Sequence, residues 1–181
     1  MRKCSLEKNE VVLLGAKKSV LKNKNAVNEK FMRIAMAEAM KGARKKHGGP
    51  FGACIVCGGK IIACAHNDVL LSHCAINHAE IEAIAKASRK LKKWDLSNCE
   101  IYSTTEPCTM CFSAIHWARI KKVYFGTRIR DAKRFGFNEM MIPDKTMKKM
   151  GKSAVRIEGN LLREECLALF AEWKKARGKK Y

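Results

Sequence analysis

From Asn28 onward apolar residues return at every fourth position: Phe31, Ala35, Ala39 and Ala43, with Met32, Met36 and Met40 alongside. That spacing predicts a helix with one buried stripe. Gly42 weakens it and Gly48-Gly49-Pro50 ends it. Two apolar runs follow, Phe51 to Cys57 and Lys60 to His66, and the Gly58-Gly59 pair between them predicts a tight hairpin. Asn67 to Asn77 reads as a loop or short turns. A second helix is expected from about Asn77 to Lys90, with Ile81, Ile84, Ala85 and Ala87-Ser88 toward the core. Cys99 to Ser103 reads as a strand that Glu106-Pro107 breaks, and Cys108 to Ala118 as a third helix. Val123-Tyr124-Phe125 predicts another strand, and Val155-Arg156-Ile157 a last one. Between them Thr127 to Gly151 is basic and weakly patterned. Leu162, Cys166, Leu169, Phe170 and Trp173 mark a closing amphipathic helix. This order predicts an α/β fold, a three-layer α/β/α sandwich with a mixed central sheet of about five strands.

At 181 residues, 47% hydrophobic and 30% charged, the chain suits one globular domain with a substantial core. Residues 1–27 lack sustained periodicity apart from Val11 to Leu14, and are expected to be a basic, flexible or loosely docked extension to a single domain over 28–181. A basic arm is the functional alternative. Apolar runs such as Phe51 to Cys57 are too short to span a membrane, and Met1 to Ser5 do not lead into a signal-peptide core. The expected location is cytoplasmic. There the nine cysteines are expected to be reduced, with Cys54, Cys57, Cys64, Cys99 and Cys166 as small core residues. Cys54 and Cys57 spell Cys-x-x-Cys, but on a strand they face opposite sides. A net charge of +20 favours a polyanionic partner such as RNA, or is a solubilising bias of the source proteome.

Two short pieces carry the chemistry: His78-Ala79-Glu80 and Pro107-Cys108-Thr109-Met110-Cys111. Both fall at expected helix starts, where the helix dipole favours thiolates. Cys108 and Cys111, three residues apart, share a helical face, and His78 makes a third zinc ligand. Three ligands leave the fourth position for water, which zinc brings toward a neutral pKa. Glu80 is free to move protons. Cys-x-x-Cys alone is often a redox pair or half of a structural zinc site, and His-x-Glu alone usually means nothing. A structural zinc would need a fourth ligand, for which Cys74 and His73 are the candidates.

His-x-Glu followed by Pro-Cys-x-x-Cys is the signature of zinc nucleobase deaminases, and from Asn28 to Tyr181 the chain resembles the cytidine deaminase superfamily. Gly48 to Ala53, Ala114 to Arg119, Asp131-Ala132, Gly136 to Glu139 and the aromatic-ended C-terminus resemble bacterial guanine deaminases. Val155 to Gly159 with Leu162 to Cys166 resembles the tRNA adenosine deaminases. The first likeness implies Zn²⁺ on His78, Cys108 and Cys111, Glu80 as proton shuttle, and deamination of guanine to xanthine. It also implies that Phe51 stacks on the base opposite His78, that Asn67 and Asp131 hydrogen-bond the purine edge, and that Ala79 and Trp117 help form the pocket. Tyr181 would close the site, with a swapped C-terminal segment in a homodimer as one route. Plainer roles stand beside these: Phe51 and Trp117 as core residues, Asn67 in a turn, Asp131 paired with a nearby arginine, Tyr181 as a free terminus. Where the family reads Asp-Pro-Thr-Ala, this chain has Cys74-Ala75-Ile76-Asn77, which should alter the loop beside the pocket.

The rival reading is a tRNA adenosine deaminase that makes inosine. Arg89, Lys90, Lys92, Lys93, Lys121, Lys122 and the Lys174 to Lys180 tail would hold its phosphates. A cytosine or nucleoside deaminase is a third. A non-enzymatic nucleic-acid-binding or zinc-stabilised domain predicts that Glu80→Gln changes no activity, and leaves a buried carboxylate without a task.

Overall fold

The computed structural model describes residue 26, residues 28–179 and residue 181. The expected extension over 1–27 lies outside the described residues apart from Ala26. The whole sheet lies within the compact unit 31–181. Helix α1 (28–44) buries Phe31, Met32, Ala35, Ala39 and Ala43, the stripe expected from four-residue spacing. Then come β1 (Gly52–Cys57), β2 (Lys60–His66), α2 (Val69–Ser72), α3 (Ala79–Leu91), β3 (Cys99–Thr105), α4 (Thr109–Trp117) and β4 (Lys122–Thr127). Helices α5 (Ile129–Arg134) and α6 (Asp144–Met150), strand β5 (Arg156–Glu158) and helix α7 (Arg163–Lys175) complete the chain. The weakly patterned stretch after Thr127 thus holds two helices, too short to show a period. Among the described residues no helix is long and apolar enough to cross a membrane.

The five strands lie in the order β2-β1-β3-β4-β5, with β1 antiparallel to both neighbours and β3, β4 and β5 parallel. Alternation along each strand divides the core between two faces. Ala53, Ile55, Ile101 and Val123 meet Ala79, Ala83 and Ala87 of α3 and Phe112 and Ile115 of α4. On the other face Val56, Tyr102 and Tyr124 pack with Phe31, the two tyrosine rings stacked at 4.6 Å. On α3, Ile84 packs against the same core as Ile55 while partly exposed, and Ile81 is only half-buried. Ala79, Ala83 and the expected Ala87 form the fully buried stripe, so the helix lies close to the sheet. Gly52 is needed for the same reason under α1, because a Cβ there would overlap the Ala35 carbonyl and the Ala39 side chain. Gly52→Ala is expected to cost about 1–3 kcal/mol by overpacking, read as a lowered melting temperature at unchanged zinc content.

The hairpin corrects one expectation. Cys54 is bonded to Cys64 and Cys57 to Cys99, so these four are not reduced core residues. Their positions follow from register. Cys57 opposes Lys60 across the Gly58-Gly59 turn, and that register would set Cys54 against Ala63. A β-bulge between Ile55 and Val56 shifts the pairing by one and brings Cys64 opposite Cys54 instead. Cys57 faces Cys99 on the opposite neighbour strand. Cys74, Cys108, Cys111 and Cys166 are free.

Candidate active site

His78 and Cys108 each stand one residue before a helix, in extended backbone, capping α3 and α4. The first turns then carry Glu80 and Cys111 inward beside them. Nδ1 of His78 lies 3.6 Å from Sγ of Cys108 and 3.6 Å from Sγ of Cys111. A tetrahedral ion with bonds of about 2.3 Å to sulfur and about 2.0 Å to nitrogen sets such ligands about 3.6 Å apart, so the three atoms fit Zn²⁺. Neither His73 nor Cys74 joins this cluster among the described residues. The set is a three-ligand one, which suits catalysis rather than structure.

Beside it, Glu80 is buried, accepting a hydrogen bond from Ser103 Oγ at 2.9 Å on Oε1 and from Cys111 Sγ at 3.5 Å on Oε2. Hydrogen bonding from Cys111 and then from His78 overcomes burial and lowers the Cys108 thiol to about 4. Cys111, sharing its proton with Cys108 and buried, is raised well above the ordinary thiol value. Burial of His78 opposes its charge, yet Cys108 and Glu80 outweigh it and raise its pKa. Burial, then the negative Cys108, raises Glu80 as well, keeping a proton within its reach.

The ligands open onto a cavity of about 420 Å³. Phe51, Asn67, His78, Glu80, Cys108 and Tyr181 all line it. The Phe51 ring is held edge-on by Phe137 at 4.8 Å and Phe170 at 5.6 Å. Asn67 is 1% exposed, its N–H donating to the Phe51 carbonyl at 3.0 Å and its Oδ1 accepting from Val69 N–H at 3.3 Å. Although 40% of Tyr181 is exposed, its hydroxyl end is buried against the Gly49 backbone and the Asn67 side chain, and that burial pushes the phenol up. Ala75 and Ile76, from the stretch where the family pattern is lost, form part of the wall.

Three expected pocket residues lie elsewhere. Asp131 is 2% exposed, with both carboxylate oxygens held by Arg163 at 2.9 and 3.0 Å and Oδ2 also accepting from Arg128 N–H. It caps α5 and ties it to α7, a partner 32 residues away rather than the Arg128, Arg130 or Arg134 side chains nearby. Trp117 ends α4 with 79% of its surface exposed, outside the cavity. The Ala79 side chain packs in the core under α3.

Three acids were missed as site residues. Glu139 lines the cavity, and burial followed by the negative Cys108 pushes it up to about 7. Glu106 accepts from Ile129 N–H at 3.3 Å and Asp144 N–H at 3.1 Å, fixing the starts of α5 and α6 beside the pocket. Asp144 is fully buried with neither carboxylate oxygen hydrogen-bonded, and burial, then Glu106, pushes it up to about 9. Only Glu139, within the stretch Gly136 to Glu139, carried any signal in the sequence.

Residues 25–127 match the model of the cytidine and deoxycytidylate deaminase zinc-binding region. The chain is 37% identical to a guanine deaminase of Bacillus subtilis over 84% of its length and 97% of that protein's. It is 32% identical to a tRNA-specific adenosine deaminase of Buchnera aphidicola, over 79% of its length and 91% of that protein's. Its fold matches a solved guanine deaminase from Nitrosomonas europaea with a TM-score of 0.75 and 30% identity, over 81% and 84% of the two chains.

Proposed function

Since the chain belongs to the cytidine and deoxycytidylate deaminase zinc-binding family, we propose that it deaminates a free purine base, guanine plus water giving xanthine plus ammonia. The observation that carries this is the cavity itself: an aromatic wall at Phe51, the buried Asn67 amide, and the C-terminal Tyr181 all converge on the zinc-ligand cluster. A pocket lined by Phe51 on one side and Tyr181 on another suits a small flat base better than a nucleotide within a folded RNA. Tyr181 reaches the pocket of its own chain, so exchange of C-terminal segments between subunits is not required for closure.

Zinc held by His78, Cys108 and Cys111 supplies a Lewis acid that lowers the pKa of water. The chain's residues do the rest. Glu80 takes the proton from the attacking water, passes it to the ring nitrogen beside the amino-bearing carbon, and helps protonate the departing ammonia. Ser103 holds one oxygen of that carboxylate so the other faces the reacting atoms. Phe51 lies against the ring face and Asn67 reads the purine edge. Glu139, with its pKa near neutrality, offers a second proton position in the same cavity. The reading includes a homodimer, and residues 1–27 as an extension to one catalytic domain.

The test is ammonia release by zinc-loaded protein offered guanine, adenine, cytosine, their nucleosides and tRNA. Turnover of guanine is expected. With Asn67→Ala, kcat/KM for guanine is expected to fall about 100-fold and the preference over adenine to shrink, since a site built to hydrogen-bond its substrate loses most when that partner goes. Inosine in tRNA with free bases untouched would overturn the proposal.

One observation favours that tRNA alternative. Lys145, Lys149, Lys152 and Arg156, with Lys148 held by the Val155 carbonyl, line a groove on α6 and β5. By contrast, Lys90, Lys121 and Lys122, expected to meet phosphates, are engaged with the Ile62 carbonyl, Glu100 and Glu158.

A further inference from the structure

A second cluster of metal-ligating groups stands apart from the zinc cavity. His47, His66 and Asp68 each turn one ligand atom inward, all within 4.8 Å of one another, and none lines the cavity. Nε2 of His66 is 2.9 Å from Nδ1 of His47, which in turn is 3.9 Å from Oδ1 of Asp68. The opposite ring nitrogen of His66, Nδ1, donates to Glu38 Oε1 at 2.9 Å. That bond fixes the tautomer, leaving Nε2 with a bare lone pair aimed at the cluster. A carboxylate on the far nitrogen of a histidine is the usual support of a metal-bound imidazole.

Hydrogen bonds alone leave the group incomplete. The His47 Nδ1 proton can satisfy His66 Nε2, but Asp68 Oδ1 then stays buried without a hydrogen-bond donor. One cation among the three atoms satisfies all of them. The fold also makes room for this ring: a Cβ on Gly42 would overlap the His66 imidazole, which explains a glycine within α1 that local helix propensity disfavours.

The geometry points to a second metal site on His47, His66 and Asp68, taking a divalent transition ion of the Zn²⁺, Co²⁺ or Ni²⁺ type. Two imidazoles and one carboxylate suit such ions, whereas Mg²⁺ and Ca²⁺ favour all-oxygen sets. Nitrogens 2.9 Å apart match adjacent positions of a six-coordinate ion with bonds of about 2.1 Å. Asp68 Oδ1, 3.9 Å from His47 Nδ1, moves in by about 1 Å to join them, and water completes the shell. The ion bridges the segment after α1 to the end of β2. His47 immediately precedes the Gly48-Gly49-Pro50 turn that leads to Phe51, and its carbonyl accepts from Leu70 and Leu71 N–H. His66 and Asp68 flank Asn67 on both sides. Its role is positional: it clamps together the two segments that bring Phe51 and Asn67 to the cavity.

Metal content tests this independently of any turnover. Protein equilibrated with micromolar Zn²⁺ and then passed through a desalting column is expected to carry roughly two ions per chain, falling to one in His47→Ala and in Asp68→Asn. Asp68→Asn keeps the shape of the side chain, so it separates ligand loss from misfolding. Titration with Co²⁺ is expected to give thiolate charge-transfer absorption from the cysteine site first. A further increment without thiolate bands follows, weakened about 10-fold or more in both variants. One ion per chain in the unsubstituted protein, or a second ion that survives both substitutions, would overturn the site. Failure of guanine turnover would bear on the deaminase reading and leave this result untouched.

Discussion

Glu80→Gln is expected to lower ammonia release by about 1,000-fold or more while leaving zinc in place. The carboxylate is buried, and its Oε1 is pinned by Ser103. Glutamine has the same shape, and its amide oxygen can still accept from Ser103. It cannot take a proton from water or hold one for the leaving group. The substitution therefore separates proton transfer from packing. It also separates the enzymatic reading from a purely structural zinc domain, in which the same variant changes no activity. Zinc content at the level of the unsubstituted protein, measured beside the kinetics, keeps loss of metal from imitating loss of the shuttle. Turnover within tenfold of the unsubstituted protein would remove Glu80 from the chemistry.

The parts legible in the sequence are those set by neighbours along the chain. Both metal-ligand pieces are short, and each stands where a helix begins, so His78 with Glu80, and Cys108 with Cys111, were legible as a signature at two helix starts, although His78 and Cys108 themselves stand one residue before α3 and α4. The Gly58-Gly59 turn announced the hairpin, and the four-residue period announced α1. What was illegible depends on partners distant in sequence or on single-residue displacements. One bulge decides whether Cys54 meets Ala63 or Cys64, and no residue pattern marks it. Asp131 had arginines on every side in the sequence, yet the one that claims its carboxylate is Arg163, at the start of α7.

The same distinction separates Trp117 from the acids of the pocket. On helical spacing Trp117 could face the core or the site, but α4 ends there, and the ring stays in solvent. Asp144 reads as an ordinary polar start to a short helix. Only the folded chain shows it stripped of water and set near Glu106, Glu80 and Cys108. Acids gathered in this way are costly without a cation.

Stripping the zinc is therefore expected to do two things: abolish turnover, and let the raised Asp144 and Glu139 carboxyls lower stability as pH rises, against the opposite contribution of the Cys108 thiol at about 4. Burial, then Glu106, with Glu80 and Cys108 behind it, holds Asp144 at about 9, and burial, then Cys108, holds Glu139 at about 7, against ordinary values of 3.8 and 4.5. A carboxyl whose pKa is higher in the folded chain than in the unfolded one binds more protons when folded. Its contribution is complete below the unfolded value and is lost as pH rises through the folded one. The window runs from about pH 4 to about pH 9, and every tenfold difference in proton affinity between the two states corresponds to about 1.4 kcal/mol. Zinc offsets the part of each elevation that comes from Cys108 and Glu80. The loaded protein should accordingly lose less stability across the window than chelated protein, whose melting temperature should drop markedly between about pH 5 and about pH 9. Asp144→Asn removes the more strongly raised of the two carboxyls and should flatten the chelated curve. Parallel curves for loaded and chelated protein would mean that the buried acids do not sense the metal, and that their pKa values rest on burial and, for Asp144, on Glu106.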